Sequence, residues 1–459
     1  MVFAPSKHFQ EINFKLANIL FFCFPISFLL GNAVTNIIII SISLIGIFTF
    51  WKELHLIKKD NIFLALFTFF IILLISTLLD SWENPKNNHM YKSLSYIRYF
   101  FFFLAVSFFL KSGKINLKFF LISSFICTFS LSVDVVYQFI NGKNLFGYYG
   151  YEKSTYHLAG FLKNEYIAGG YISKFFIFSL LFFPFIFKKL EKYKSITLIF
   201  LIIIFFSGVL YSGNRMPLII FIFSMLLMIV LIKNLRVPIT IGFFLCSIIF
   251  YISYNNSEKI KTPYYSFYNN ASSMWKNLKK YAFKEYPELE NQKGIKFKHY
   301  FFDQDFKRTP DGAENSKYKM MNFGSGHTVI YITALDLWTD SPVIGNGIKS
   351  FRIKCFTKLY LPNRSCEGHP HNYYLELLND TGLVGTLVFF LFLFLIFRKK
   401  LLNIKKFEEK EKLLLLCLFI IVLNELFPIR SSGSFFSTSS SAYIFFLLGL
   451  FNGLKKIKI

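Results

Sequence analysis

The chain has 459 residues, of which 54% are hydrophobic, 20% aromatic and only 17% charged, a balance foreign to soluble globular domains. Fifty-one Lys and Arg against 26 Asp and Glu give a formal net charge of +25, which in a soluble chain points first to nucleic acid. Here the basic residues lie between apolar runs long enough to cross a bilayer, so a nucleic-acid partner and a singly anchored soluble enzyme are both excluded, and membrane lipids are the expected surroundings.

Taken in chain order, apolar runs fall near 14–31, 33–51, 62–79, 94–110, 119–140 and 166–187, then near 196–211, 216–232, 237–254, 373–397, 413–427 and 442–454. By the length criterion of roughly 20 residues per span, this predicts an all-α polytopic membrane protein of about twelve transmembrane helices. The first run is followed at once by another and lacks the small-residue cleavage site of a secretory signal, so it reads as a retained helix. The 63 phenylalanines accompany many Ile, Lys and Asn residues; a biased coding composition accounts for them, and they carry no functional weight.

Loops 52–59, 111–118, 188–194, 233–236 and 398–412 are dense in Lys and Arg, whereas 80–92 and 430–438 are poorer. The positive-inside rule therefore places both termini in the cytoplasm. Three regions follow: transmembrane helices 1–9 in 1–254, an outer loop domain in 255–370, and helices 10–12 in 371–459. The outer loop is too long for a mere connector. From 276 to 322 it shows no clear period and is expected to be irregular or in short helices.

Cys23, Cys127, Cys246 and Cys417 lie inside apolar runs, where a thiol is a small hydrophobe. Cys355 and Cys366 sit in the outer loop. In an outer compartment of bacterial kind, a disulfide closing a short loop before the histidines is the favoured reading. Two unpaired thiols, or a metal pair with His369 and His371, are the alternatives, although the spacing matches no standard zinc pattern and no metal is expected.

The run from Cys366 through His369-Pro370-His371-Asn372 to Glu376, Asp380, Gly382 and Gly385 leads directly into an apolar span. Pro370 biases His369 toward extended backbone, so a helix is expected to begin at His371 or Asn372. A helix amino terminus offers unpaired N–H groups and partial positive charge to phosphate. Ser212-Gly213-Asn214-Arg215-Met216-Pro217 is a second such entry, with Arg215 at the membrane boundary. Arginine forks onto phosphate oxygens and a neutral histidine accepts a hydroxyl proton, a pairing suited to glycosyl transfer from a lipid pyrophosphate. Simple snorkelling of Arg215 and helix capping by the histidines would place the same residues there.

His371-Asn372, nine residues, Gly382, two residues and Gly385 resembles the H-[NSQ]-x9-G-x-x-[GTY] pattern of bacterial O-antigen ligases. Pro342-Val343-Ile344-Gly345-Asn346-Gly347 through Phe351 is similar to the P-x-x-G-x-G-x-x-x-F element of the same family's ligase/polymerase domain and is no Walker loop. Asp134, Gln138, Gly142 and the stretch Gly160 to Gly170 resemble a further, less specific element, as does the turn from Phe427 to Ser434. One departure is His327, which follows Gly326 where many relatives carry Gly-Arg.

The resemblance implies a GT-C-like membrane fold with a large periplasmic loop, no cofactor, and metal-independent inverting transfer. It implies an undecaprenyl-pyrophosphate-linked glycan as donor and lipid A core, or another hydroxyl, as acceptor, at the periplasmic face of the inner membrane. His371 and Arg215 take the catalytic roles. His369, Asn372, Lys163, Glu165, His327, Arg352 and Arg364 are candidate substrate-binding residues, although each of the outer-loop charges also reads as a solvated side chain. Gly345, Gly347, Gly382, Gly385, Cys355 and Cys366 are structural, the last two glycines letting their helix pack closely in lipid. Asp134, Glu376, Asp380 and Glu425 are acids in or beside spans, where function is the default expectation. An O-antigen polymerase or a protein O-oligosaccharyltransferase of the same family is the nearest alternative. A polysaccharide flippase or transporter is more distant, because no internal repeat is visible.

Overall fold

The computed structural model describes residues 7–83, 89–150, 157–163, 165–186, 193–282, 326–359, 364–430 and 433–455. In chain order the helices are α1 (Lys7–Leu30), α2 (Asn32–Thr49), α3 (Asn61–Glu83), α4 (Met90–Tyr96), α5 (Arg98–Lys111), α6 (Leu117–Asn141), α7 (Ala168–Ile186) and α8 (Lys194–Tyr211). They continue with α9 (Arg215–Leu231), α10 (Arg236–Asn256), α11 (Glu258–Ala282), α12 (Gly326–Trp338), α13 (Phe351–Lys354), α14 (Tyr373–Leu401), α15 (Glu409–Glu425) and α16 (Thr438–Gly453). Among the described residues the only β pairing is an isolated bridge between Lys143 and Tyr149. This is an all-α polytopic membrane protein.

Every apolar run read from the sequence is a helix. Eight helices are long and apolar enough to cross a bilayer on length and composition, while α7, α9, α15 and α16 are shorter or carry polar ends. A lipid solvent explains why so many apolar side chains remain uncovered: Ile37, Phe48, Val230, Phe244 and Phe394 all face outward.

The centre of the bundle is α16, buried on every side from Ser440 to Gly453, as expected of a helix that is apolar all round. Phe446 stacks on Phe24 of α1 with ring centroids 3.9 Å apart and meets Phe120 of α6 at 5.3 Å. On its other side α16 packs against α5, and a Cβ on Gly449 would lie 2.8 Å from Val106. Small residues let helices approach closely in lipid, where apolar burial alone gives no drive to associate.

Glu258–Ala282 is a single 25-residue helix, so the part of the 276–322 stretch that precedes 283 is the end of a long helix rather than irregular chain or a short helix; residues 283–325 lie outside the described residues. Ser257 alone separates α11 from α10, and Ile260 and Pro263 turn inward while Tyr265 and Tyr268 face out. That one-sided burial holds the helix against α10 and next to the entry of α9.

Candidate functional site

The break in α14 organises this end of the molecule. Gly382 has φ 64 and ψ −170, which interrupts the helix and splits it into Tyr373–Thr381 and a longer second part. Four backbone groups freed by the break are taken up by the 342–347 turn. Asn346 N donates to Asn379 O (2.7 Å), Gly347 N to Asp380 O (3.1 Å), Leu383 N to Pro342 O (2.9 Å) and Val384 N to Val343 O (3.1 Å). The two glycine motifs are therefore halves of one joint. Gly385 alone plays the expected packing part, within 3.2 Å of Ile72 of α3 if it carried a Cβ; Gly382 instead makes the break.

The buried acids brace the same joint. Asp380 accepts from Lys349 N (2.6 Å), Ser350 Oγ (2.9 Å) and Asn379 Nδ2 (2.9 Å). Glu376 accepts from Ser434 Oγ (2.6 Å) and Phe435 N (2.5 Å), fixing the turn before α16. Gly347 N donates to Ser76 Oγ of α3 (2.9 Å), which ties the joint to the bundle. These carboxylates are engaged by loop backbone and by neighbouring side chains, and each pairing satisfies a donor that burial would otherwise penalise.

Above this joint, α14 begins one residue later than the sequence implied. Asn372 is its cap: the side-chain oxygen accepts from Tyr374 N (3.0 Å) and Leu375 N (3.2 Å), while Nδ2 donates to Pro428 O (2.9 Å). Its amide is thereby engaged in holding the helix start. His371 lies just outside the helix with φ 55, an uncommon conformation for a residue with a side chain and one that clusters at functional sites.

That backbone turn brings three imidazoles together. The His369 and His371 ring centres are 4.1 Å apart, and His327 lies 5.1 Å from His371. His371 Nε2 is 3.3 Å from Glu367 Oε2. Burial, with the His371 and Arg352 charges adding to it, pushes His369 down to about 4, and its Nε2 is buried with no hydrogen-bond partner. Burial also lowers His327, helped by the charges of His371 and Arg215. Both rings are therefore neutral near pH 7.

Arg215, the first residue of α9, is half-buried and has no carboxylate partner among the described residues. Its guanidinium lies 5.9 Å from the Phe267 ring of α11, and its charge acts on His327 and His157. Arg352 of α13 acts on His369 in the same way. Two helix amino termini, those of α9 with Arg215 and α14 with Asn372, thus lie beside His327 of α12. Each adds partial positive charge.

The other sequence-derived candidates sit apart from this cluster. Arg364 is buried and ion-paired to Asp336 of α12, an anchor for the segment that leads to the histidines. Cys355 and Cys366 form a disulfide with Cα atoms 5.2 Å apart, packed with Ile330, Leu337 and Phe351 in a small second core. Lys163 is exposed, 4.6 Å over the Tyr148 ring, and Glu165 is exposed on the same turn. No contact among the described residues joins either to the histidines. Their segment is nevertheless stitched beside Arg215, because Asn214 Oδ1 accepts from Gly169 N (3.1 Å) and its Nδ2 donates to Tyr166 O (3.2 Å). Asp134 and Gln138 hold the preceding loop through Leu145 N and Gly160 N, both at 2.9 Å.

Two features escaped the sequence reading. Glu367 is an ordinary loop acid until the fold sets it against His371. Lys174 of α7 lies 3.0 Å from Glu425 Oε1, whose other oxygen is 2.8 Å from Arg430 Nη1; Tyr373 OH donates to Oε1 at 2.9 Å. A lone lysine inside an apolar run was the available signal for this buried network.

No curated protein matches the chain. Residues 198–390, which include Arg215, His327, both motif glycine pairs and His371, match the family model described as O-antigen ligase. The chain is thus a multi-pass membrane protein carrying an O-antigen ligase family domain.

Proposed function

We propose that the protein transfers a glycan from undecaprenyl pyrophosphate to a hydroxyl of lipid A core on the periplasmic face of the bacterial inner membrane. The observation that carries this reading is the contact of three imidazoles at a strained backbone turn, beside Arg215, which has no carboxylate partner among the described residues. Glycan transfer needs a proton acceptor near the attacking hydroxyl and cationic stabilisation for a departing pyrophosphate. Glu367 engages His371 Nε2 and leaves Nδ1 for the acceptor proton.

In this scheme the acceptor oxygen bonds to the anomeric carbon as the bond from that carbon to the pyrophosphate oxygen breaks. The hydroxyl proton passes to His371, whose positive charge Glu367 offsets. The pyrophosphate leaves as an anion held by Arg215 and the α9 amino terminus. The reading keeps the metal-independent character implied by the family resemblance.

His371→Ala is expected to abolish glycan-capped lipopolysaccharide while the protein remains inserted, a loss of roughly 10²–10⁴ in rate if proton transfer is its role. Arg215→Ala should behave alike. Normal capping in either variant rejects the assignment. In a strain lacking the gene, accumulated long lipid-linked chains mark a missing ligase, whereas cores bearing a single repeat mark a missing polymerase.

A further inference from the structure

At the far end of α14, roughly 40 Å of helix away from the histidines, the molecule holds an open groove of about 710 Å³. Four elements form it: the linker between α2 and α3, the start of α3, the end of α5 and the end of α14. Lys59, Lys111, Arg398 and Lys399 line it against only two acids, Glu53 and Asp60. Phe50, Phe63 and Phe108 supply an apolar wall.

Among the described residues, most of this charge has no carboxylate partner. Lys399 is 2.9 Å from Asp60, but among the described residues no carboxylate lies in ion-pair contact with Lys59, Lys111 or Arg398. Lys111 instead sits over aromatic rings, 4.8 Å from Phe63 and 5.6 Å from Phe108. Lys400 and Lys455 add to the crowding: Lys455 is close enough for its charge to act on Lys111, and Lys111 acts in turn on Lys400. Converging cations repel one another unless an anion lies between them. The groove is several times larger than an inorganic phosphate requires. It also opens onto uncovered apolar faces, Leu64 and Phe67 on α3 and Leu391 and Phe394 on α14.

We propose that this groove binds the headgroup of an anionic glycerophospholipid, with its acyl chains running along the exposed faces of α3 and α14. Cationic pockets between transmembrane helices suit such headgroups. The lipid would cross-brace α3, α5 and α14, and α3 and α14 are the two helices that meet at the Gly382 break.

The test uses the full-length protein in mild detergent and native mass spectrometry with phosphatidylglycerol, phosphatidylcholine of the same acyl composition, and inorganic phosphate. Wild type is expected to retain phosphatidylglycerol at least tenfold better than phosphatidylcholine, and millimolar phosphate should not displace it. A Lys59→Gln, Lys111→Gln, Arg398→Gln triple variant should lose most of that preference. The exposed single change Arg398→Gln, which leaves the bundle intact, should lose part of it. Lys405→Gln with Lys406→Gln, basic but outside the groove, should lose none. Undiminished retention in the triple and single variants, equal loss in the Lys405/Lys406 control, equal retention of phosphatidylcholine, or displacement by phosphate would each overturn the proposal.

Discussion

Gly345 and Gly382 meet backbone to backbone: a Cβ on Gly345 would lie 2.4 Å from Gly382 N, and one on Gly382 would lie 2.6 Å from Gly345 N and 2.3 Å from Val343 O. Both residues have positive φ, 88 and 64. A methyl at either site meets rigid backbone and an unfavourable conformation together. Gly382→Ala is therefore expected to cost roughly 2–6 kcal/mol and to abolish transfer, read by thermal unfolding of the detergent-purified protein. Gly170→Ala, in α7 with nothing within 4 Å, should change stability by less than about 1 kcal/mol. Equal melting of the two variants would show that the joint is dispensable.

The histidine cluster sets a pH dependence. Burial first, then the charges of His371 and Arg352, hold His369 at about 4 against an ordinary value of 6.5. Between those values the unfolded chain takes up a proton that the folded chain refuses, so the contribution is full above about pH 7 and is lost as the pH falls toward 4. His327 is shifted in the same direction. Melting temperature should therefore drop between pH 7 and pH 5, and His369→Gln should flatten that slope. An unchanged slope in the variant would place the effect elsewhere.

Among the described residues, Glu425 is the only carboxylate in contact with two largely buried cations, Lys174 and Arg430. Glu425→Gln removes the carboxylate charge that both cations face and is expected to cost about 3–5 kcal/mol. Removing a cation as well, in Lys174→Met with Glu425→Gln, should recover part of the loss, because the two residues share one interaction. Strict additivity in a thermal double-mutant cycle would contradict the coupling.

Reduction of the Cys355–Cys366 disulfide opens a loop whose ends are 11 residues apart. Loss of that constraint is worth about 2–3 kcal/mol, and the segment it steadies leads directly to His369 and His371. Maleimide labelling should modify the pair only after reductant, and Cys355→Ser should lower transfer without preventing membrane insertion. Labelling without reductant would show that the thiols are free.

The membrane helices were legible because span length and apolar content are properties of a single stretch of chain. All twelve apolar runs appear as helices for that reason, and His371, Arg215 and the glycine motifs stood out by type and spacing. What could not be read was anything set by tertiary contact. The sequence reading took Gly382 for a packing residue, since its helix break depends on carbonyls that only the Gly345 turn satisfies. It took Arg364 for a substrate contact, since Asp336 lies in a different helix. The continuity of α11 past 276 was hidden because its inward face is anchored near its start, by Ile260 and Pro263, before the unpatterned stretch begins.

The seam between the Pro342–Gly347 turn and α14 has a consequence for how this region tolerates change. It is sewn by main-chain groups, and the side chains of Val343 and Ile344 point out to the surroundings. Those two positions can drift in identity, or be recoded by an engineer to carry a label, without loosening the seam. A probe attached there would report on the histidine end of the protein from the turn beside it while leaving its architecture untouched.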